Sequence, residues 1–167
     1  MPHNVMQKTA GHFLCDPGLV TLRAVKELVQ PRMDERAARD LQQYANDVRG
    51  SAVGGRNGAL GPERVAQAME MGEAQTIFVA PHEPVPAAMC SVCTHVDLGM
   101  TPACSLCGGE MRMFGDLEEV IARRDGRGTF KLLRVPRGMI EDGARGFMAA
   151  LRFRAEQRGT EASSQAA

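Results

Sequence analysis

Four of the five cysteines in this 167-residue chain follow the spacing of a structural metal site. Cys90 and Cys93 form one C-x-x-C pair, and Cys104 and Cys107 form a second pair after a ten-residue spacer. Two thiolates three positions apart in a tight turn bind one side of a tetrahedral ion, and a second such turn completes the coordination. Four thiolates suit Zn²⁺ in softness and geometry, and they leave no open coordination position. The spacing therefore predicts one structural zinc ion without a catalytic role.

Three other chemistries share parts of this pattern. Two disulfides would require an oxidising compartment, and nothing else in the sequence indicates one. A redox dithiol would place one C-x-x-C at the start of a helix that follows a strand, unlike these proline-flanked pairs. An iron–sulfur cluster or a rubredoxin-like iron site uses the same class of spacing. We favour zinc over all three.

The residues after the two cysteine pairs differ. Gly108 and Gly109 follow the second pair, where a positive φ lets backbone amides turn toward the sulfurs. Thr94 and His95 stand at the corresponding places after the first pair. His95 follows Cys93 too closely to replace a cysteine as a ligand. We therefore predict that His95 is a surface side chain.

Basic residues are concentrated in the C-terminal half, although the whole chain balances 20 basic against 20 acidic side chains. Residues 112–154 hold ten Lys or Arg and six Asp or Glu. Arginine matches phosphate in bidentate geometry, and loops of a crossover fold gather at one edge of its sheet. We predict an RNA- or phosphate-binding patch with little acid nearby; the alternative is an ordinary solvated surface. The patch consists of Arg123, Arg124, Arg127, Arg134 and Arg137.

Recognisable catalytic motifs are absent from the sequence. It contains no nucleophile elbow, no His-Glu-x-x-His pair and no phosphate-binding loop. With six Phe, one Tyr and no Trp, a base-stacking platform is not expected either. We predict that the protein is not an enzyme and has no small-molecule substrate.

Composition and hydropathy bound the location. An apolar content of 44% with 24% charged residues is normal for a folded domain. No apolar run approaches the roughly 18 residues of a membrane span, and the first residues do not form a secretory signal. We therefore expect a cytoplasmic protein with no membrane partner.

The elements that must position these residues divide into two parts. Residues 1–33 read as an N-terminal arm with a helix at 19–29 that Pro31 ends. Asp34 then caps a second helix, which runs from residue 35 to about residue 48. We place the domain boundary here, with an α/β domain at 34–155.

Within that domain, helices and strands alternate, and this favours strand–helix–strand crossovers and a sheet covered on both faces. The zinc knuckles occupy 88–110, and 156–167 lacks periodicity and is predicted to be a disordered tail. Asp116 is the predicted N-cap of the helix at 117–124. The remaining predicted elements are helices at 63–71 and near 140–145, and strands at 76–80, 111–114, 129–135 and 147–153.

Four segments, in order, resemble one known family. Residues 61–79, GPERVAQAMEMGEAQTIFV, resemble its helix-then-strand signature, and the paired cysteine knuckles follow. Residues 116–121, DLEEVI, resemble the next helix, and residues 146–153, GFMAALRF, resemble the closing strand. The family is that of the archaeal and eukaryotic class-1 peptide-chain release factors and Pelota, in their C-terminal (third) domain. A bacterial branch of the family exists, and the arginine-rich, lysine-poor composition of this chain suits it.

The resemblance implies a three-layer α/β/α sandwich with the zinc knuckles as a small excursion, preceded by a helical N-terminal arm. It also implies binding to the ribosome or ribosomal RNA, or to a translational GTPase. The Gly-Gly-Gln loop of peptide release is absent. The nearest sequence, Gly54-Gly55-Arg56, lies in the wrong domain and lacks the glutamine. We therefore expect a non-catalytic, translation-associated binding module that does not release peptides. The alternatives are a protein–protein adaptor unrelated to the ribosome and an enzyme with an unrecognised site.

Overall fold

The computed structural model describes residues 13–16, 18, 20–126 and 128–153, with Asp142 described by its backbone alone. The predicted tail and Arg127 lie outside the described residues. The chain divides into two compact units, Met1–Tyr44 and Ala45–Ala167, whereas we placed the boundary after residue 33. The second unit contains both sheets and all the candidate site residues.

Helix α1 spans Leu22–Val53 as one element, so the prediction of two helices separated at Pro31 is wrong. A proline removes one backbone hydrogen bond, and good helix formers on both sides supply the rest. Side-chain bonds one turn apart support the same stretch. Gln30 donates to Asp34 across the proline at 2.8 Å, and Arg23 pairs with Glu27 at 2.9 Å. Asp34 is therefore an interior helix residue and not a cap.

A four-stranded mixed sheet forms the centre of the second unit. Its strands are β1 (Gly58–Leu60), β2 (Ala74–Val79), β6 (Lys131–Arg134) and β7 (Phe147–Leu151), in the order β1-β7-β2-β6. β2 and β6 are parallel, and β7 runs antiparallel to both β1 and β2. β7 is antiparallel because a short 3₁₀ turn at Asp142–Ala144, not a crossover helix, returns the chain from β6.

Helices cover both faces of this sheet. α2 (Pro62–Glu70) and α3 (Leu117–Asp125) lie on one face, where Val65 and Ile121 share a buried cluster with Ile77 and Ala149. Right-handed crossovers that step in the same direction along a sheet place their helices on the same side.

The last turns of α1 cover the opposite face. Gly58 is paired with Ala150, so a side chain at Gly58 would point to the face that α2 and α3 do not cover. A Cβ there would lie 2.5 Å from the carbonyl oxygen of Val48 in α1. The predicted α/β class is therefore confirmed, with three layers in the order α/β/α.

A second, antiparallel sheet carries the cysteines, so the excursion is larger than predicted. Its strands are β3 (Ala87–Cys90), β4 (Val96–Leu98) and β5 (Met111–Phe114), in the order β4-β3-β5. Of the three, only β5 was predicted. Ala87, Val96 and Phe114 belong to the same buried cluster as the core of the larger sheet. The cysteine segment is thus packed onto the domain and does not project freely from it.

No helix in the described part of the chain combines the length and the hydropathy that a membrane span requires.

Candidate metal centre

The structure brings the four predicted sulfur ligands together. All four Sγ atoms lie within 4.8 Å of one another. Cys90 lies 3.5 Å from Cys107, and Cys93 lies 3.5 Å from Cys104 and 3.4 Å from Cys107, measured between Sγ atoms. A tetrahedral ion with metal–sulfur bonds of about 2.3 Å has sulfur–sulfur edges of about 3.8 Å. All five cysteines are free, and the four can hold a metal ion.

The two cysteine turns, residues 90–95 (the first knuckle) and residues 104–109 (the second knuckle), have the same backbone. In each, the amide of the first cysteine donates to the carbonyl five residues later, at 2.8 Å. The residue after the second cysteine has φ near +65° in both, 63° for Thr94 and 71° for Gly108. Its amide donates back to the first cysteine's carbonyl, at 3.2 Å from Thr94 and 2.9 Å from Gly108. Thr94 therefore adopts the conformation that the second knuckle assigns to glycine.

Backbone amides act on the sulfur of Cys90. The N–H groups of Val92 and Cys93 each donate to Cys90 Sγ at 3.4 Å. The Cys93 amide is the main reason why the pKa of the Cys90 thiol falls to about 6. The backbone amide of His95 acts in the same sense on Cys93, but the thiol of Cys107 and burial outweigh it and raise the pKa of Cys93 to about 12. The metal-free cluster therefore retains protons that a bound ion displaces.

His95 is not the surface side chain that we predicted. Only 16% of its side chain is exposed. Its Nδ1 lies 2.7 Å from Glu70 Oε1 in α2, and its Nε2 lies 3.1 Å from Asp97 Oδ1 in β4. Ser105 Oγ, in the second knuckle, lies 3.1 Å from the same Nε2. Glu70 and Ser105 are distant from His95 in sequence, and Asp97, two residues away, belongs to no recognised motif with it. Local spacing therefore gives no signal of these contacts.

The five predicted phosphate-binding arginines do not form an acid-free patch. Arg134 pairs with Glu118 at 2.7 Å, so the expectation of little acid nearby is wrong at this position. Arg123 lies over the Phe114 ring with 5.1 Å between its Cζ and the ring centroid. Arg124 donates to the carbonyl oxygen of Thr94 in the first knuckle. Arg137 is exposed beside a separate cavity, and Arg127 lies outside the described residues.

That cavity, of about 450 Å³, contains a histidine that the sequence analysis missed. His82 Nε2 lies 3.0 Å from Asp116 Oδ2, and its Nδ1 lies 2.7 Å from the Ala80 carbonyl oxygen. Burial alone would lower the pKa of His82, but the hydrogen bonds to Ala80 and Asp116 outweigh it and raise that pKa. Asp116 also caps α3, as predicted, by accepting from the Glu118 amide at 3.1 Å. His82 and Asp116 are 34 residues apart, so no local motif reveals the pair.

Comparison with known proteins finds similarity at the level of structure. No family model matches the sequence, and no curated protein does. Among solved structures, the chain is similar to the C-terminal domain of a peptide chain release factor from Methanosarcina mazei, with a TM-score of 0.50 and 15% sequence identity. The match covers 83% of this chain and 99% of that domain. The protein therefore has the fold of a release-factor C-terminal domain, in agreement with the resemblance found in the sequence.

Proposed function

We propose that the protein is a non-catalytic, zinc-stabilised binding module of the translation machinery. The observation that carries the proposal is the likeness to the release-factor domain, which extends over 99% of that domain. The sequence segments that resemble the release factor and Pelota family fall on α2, β2, α3 and β7, in the same order. On this proposal the chain is a member of that family, in a bacterial branch, and acts in the cytoplasm.

The structural role of the metal rests on the ligand set. Cys90, Cys93, Cys104 and Cys107 supply four thiols, and a tetrahedral Zn²⁺ with four thiolates has no position for substrate or water. The ion would crosslink the two knuckles and stabilise the fold locally.

The state of His82 supports the proposal that the protein is not an enzyme. Its contact with the Asp116 carboxylate resembles that of a catalytic histidine. Within the described residues, His82 already uses both ring nitrogens, one on a carboxylate and one on a carbonyl. A general base needs a free nitrogen within reach of the substrate proton.

The proposed partner is the ribosome, through ribosomal RNA or an associated translational GTPase. For RNA, the candidate contacts are Arg123, Arg124, Arg127, Arg134 and Arg137. A phosphate contact releases counterions, which gives binding a steep salt dependence of about one unit in log K against log salt for each contact. Arginines that already have partners within the chain retain donors for such contacts, since each guanidinium carries five.

The test is copurification of the tagged full chain from a bacterial lysate, with and without ribonuclease, together with cosedimentation with purified ribosomes across a salt series. We expect ribosomes to pellet the protein at low salt and to lose it as salt rises. Replacement of Arg123, Arg134 and Arg137 by Ala should flatten the salt response. Failure of the wild type to pellet with ribosomes at low salt would reject the ribosomal partner.

The second candidate is a protein–protein adaptor, and the knuckle surface favours it. Val92 and Leu106, at equivalent positions of the two knuckles, are 72% and 74% exposed. Exposed aliphatic side chains of this kind suit an apolar protein surface better than phosphate. Partners that copurify equally well after ribonuclease treatment, without ribosomal proteins among them, would favour the adaptor.

A further inference from the structure

Each cysteine pair contains a serine directly after its first cysteine. Each serine contacts residues at the C-terminal end of the opposite knuckle. Ser91 Oγ donates to the Glu110 carbonyl at 2.9 Å, one residue beyond the second knuckle. Ser105 Oγ donates to Asp97 Oδ2 at 3.2 Å and lies 3.1 Å from His95 Nε2, at the end of the first knuckle. The Cys-Ser-x-Cys repeat is therefore a reciprocal crosslink as well as a ligand pattern.

The Ser105 crosslink continues to helix α2. His95 joins Asp97 to Glu70, with its Nδ1 2.7 Å from Glu70 Oε1. The same carboxylate oxygen accepts from the backbone amide of Val96. The side chains of His95, Glu70 and Asp97 are 16%, 23% and 26% exposed, so the network lies mostly out of water, where hydrogen bonds are stronger. A continuous chain of contacts thus connects α2 to the second knuckle.

We propose that these four side chains, Glu70, His95, Asp97 and Ser105 (the clasp), hold the second knuckle against the first and set how slowly the site releases its metal. The inference rests on the zinc site of the proposed function. Release requires one pair of sulfurs to move away from the other, and the clasp opposes that movement. Because no clasp atom is a metal ligand, these are positioning residues. Groups that hydrogen-bond directly to a metal ligand affect affinity by about 10–100-fold; the clasp acts on the ligands through the backbone, so its effect should lie at the lower end of that range.

The experiment follows zinc transfer from the loaded full-length protein to an excess of chromogenic chelator. We expect His95→Ala to accelerate release about tenfold. Glu70→Ala, which removes the acceptor of His95 and Val96, and Ser105→Ala, which removes the hydroxyl, should accelerate it by smaller factors, since each removes one end of the clasp. Ser91→Ala should have less effect than Ser105→Ala, because the Ser91 amide keeps its own bond to the Glu110 carbonyl at 3.0 Å.

Two controls separate a positioning role from other effects. Glu63→Ala removes a carboxylate on the same helix that pairs with Arg145, outside the clasp, and should leave release unchanged. Cobalt-substituted clasp variants should keep the visible spectrum of a tetrahedral four-thiolate site. A spectrum that reveals a changed ligand set in His95→Ala would mean that the residue acts as a ligand, and would overturn the positioning role.

The outcomes distinguish the inference from the function on which it rests. A wild-type protein that binds no metal would reject both. One bound zinc with wild-type release rates in His95→Ala and Glu70→Ala would overturn the clasp and leave the proposed function standing. Fast release in His95→Ala with an unchanged rate in Glu70→Ala would overturn the connection to α2. If His95→Ala fails to fold, Glu70→Ala and Ser105→Ala, which each remove one end of the clasp, decide.

Discussion

The two knuckles share a backbone, a ligand spacing and a central serine, yet the domain holds them differently. The first knuckle is fixed by both helices on one face of the large sheet: Arg124 of α3 binds the Thr94 carbonyl, and Glu70 of α2 binds His95. Among the described residues, the side-chain contacts that leave the second knuckle run to the first knuckle and to Asp97 of the small sheet. The metal site therefore joins the first knuckle, which two helices anchor, to the second knuckle, whose side-chain contacts among the described residues reach no helix.

This asymmetry indicates what the metal does in the fold. The first knuckle connects β3 directly to β4 and contacts two helices. These constraints should preserve its conformation when no ion is bound. Beyond its own backbone bonds, the second knuckle is held by its sulfurs, by Ser105 and by the bonds of Ser91 to Glu110 at its exit, none of which comes from a helix. The metal should therefore stabilise the second knuckle more than the first, and the α/β core least.

Metal removal is the largest perturbation of this comparison. We expect one zinc per wild-type chain and a strong loss of zinc in Cys104→Ser, because three thiolates leave an incomplete tetrahedron. Amide exchange in this variant, or after chelation, should rise most at residues 104–109, less at 90–95, and little in β2 and β7. Elemental analysis and exchange mass spectrometry measure the two effects. Undiminished zinc in Cys104→Ser would reject the ligand assignment, and equal exchange in both knuckles would reject the asymmetry.

Removal of one anchor should make the two knuckles more alike. Arg124→Ala deletes the donor to the Thr94 carbonyl, and a hydrogen bond that involves a charged group contributes about 1.5–3 kcal/mol. We expect faster amide exchange at residues 90–95, with the second knuckle less affected. Arg123→Ala is the matched control, because the adjacent arginine contacts Phe114 and not the knuckle. Identical exchange profiles for the two variants would show that the anchor has no effect.

The ligands of this site could be predicted from sequence, whereas its anchors could not. The C-x-x-C repeat specifies a local turn, and local turns depend on residues a few positions apart. The contacts of His95, by contrast, depend on Glu70 and Ser105, which only the tertiary fold brings together. Arg134 was predicted as part of a patch, but its partner Glu118 lies on a different element.

The same distinction holds for the secondary structure. The Asp116 cap and the strand around Phe78 follow local rules, and the structure confirms both. Strands β3 and β4 have four and three residues between prolines and cysteines, too short for a periodic signal. Pro31 was predicted to end a helix because the local rule is strong, but the helix continues through it.

A smaller effect concerns the residue that follows each cysteine pair. Thr94 and Gly108 share the left-handed conformation, which costs a non-glycine residue about 1–2 kcal/mol. Thr94→Gly relieves this cost, but the greater conformational entropy of glycine stabilises the unfolded chain by about 0.5–1 kcal/mol. We therefore expect a net stabilisation of the folded protein of about 0.5 kcal/mol. Gly108→Thr should destabilise by a similar amount. Urea unfolding of the zinc-loaded proteins measures both changes, and shifts of the same sign would contradict the shared backbone.

The smallest effect concerns pH. Acid should weaken the metal site, whereas it should increase the contribution of His82 to the stability of the core. Metal binds to thiolates, so acid weakens the metal site. His82 faces a carbonyl at 2.7 Å and a carboxylate at 3.0 Å, an environment that favours the doubly protonated ring. Its pKa in the folded state is raised above 6.5, because the bonds to Ala80 and Asp116 outweigh the opposing effect of burial.

The sign of the His82 contribution follows from linkage. A histidine with a raised pKa in the folded state contributes stability that is fully present below about pH 6.5 and disappears as pH rises through the folded value. With zinc saturating, the difference in unfolding free energy between wild type and His82→Gln should therefore be larger at pH 6 than at pH 8.5. Comparison of the two proteins at each pH cancels the effect of acid on the thiolates, which both contain. A difference that grows toward alkaline pH would mean that the folded protein prefers neutral His82, and that acid weakens the core as well as the knuckles.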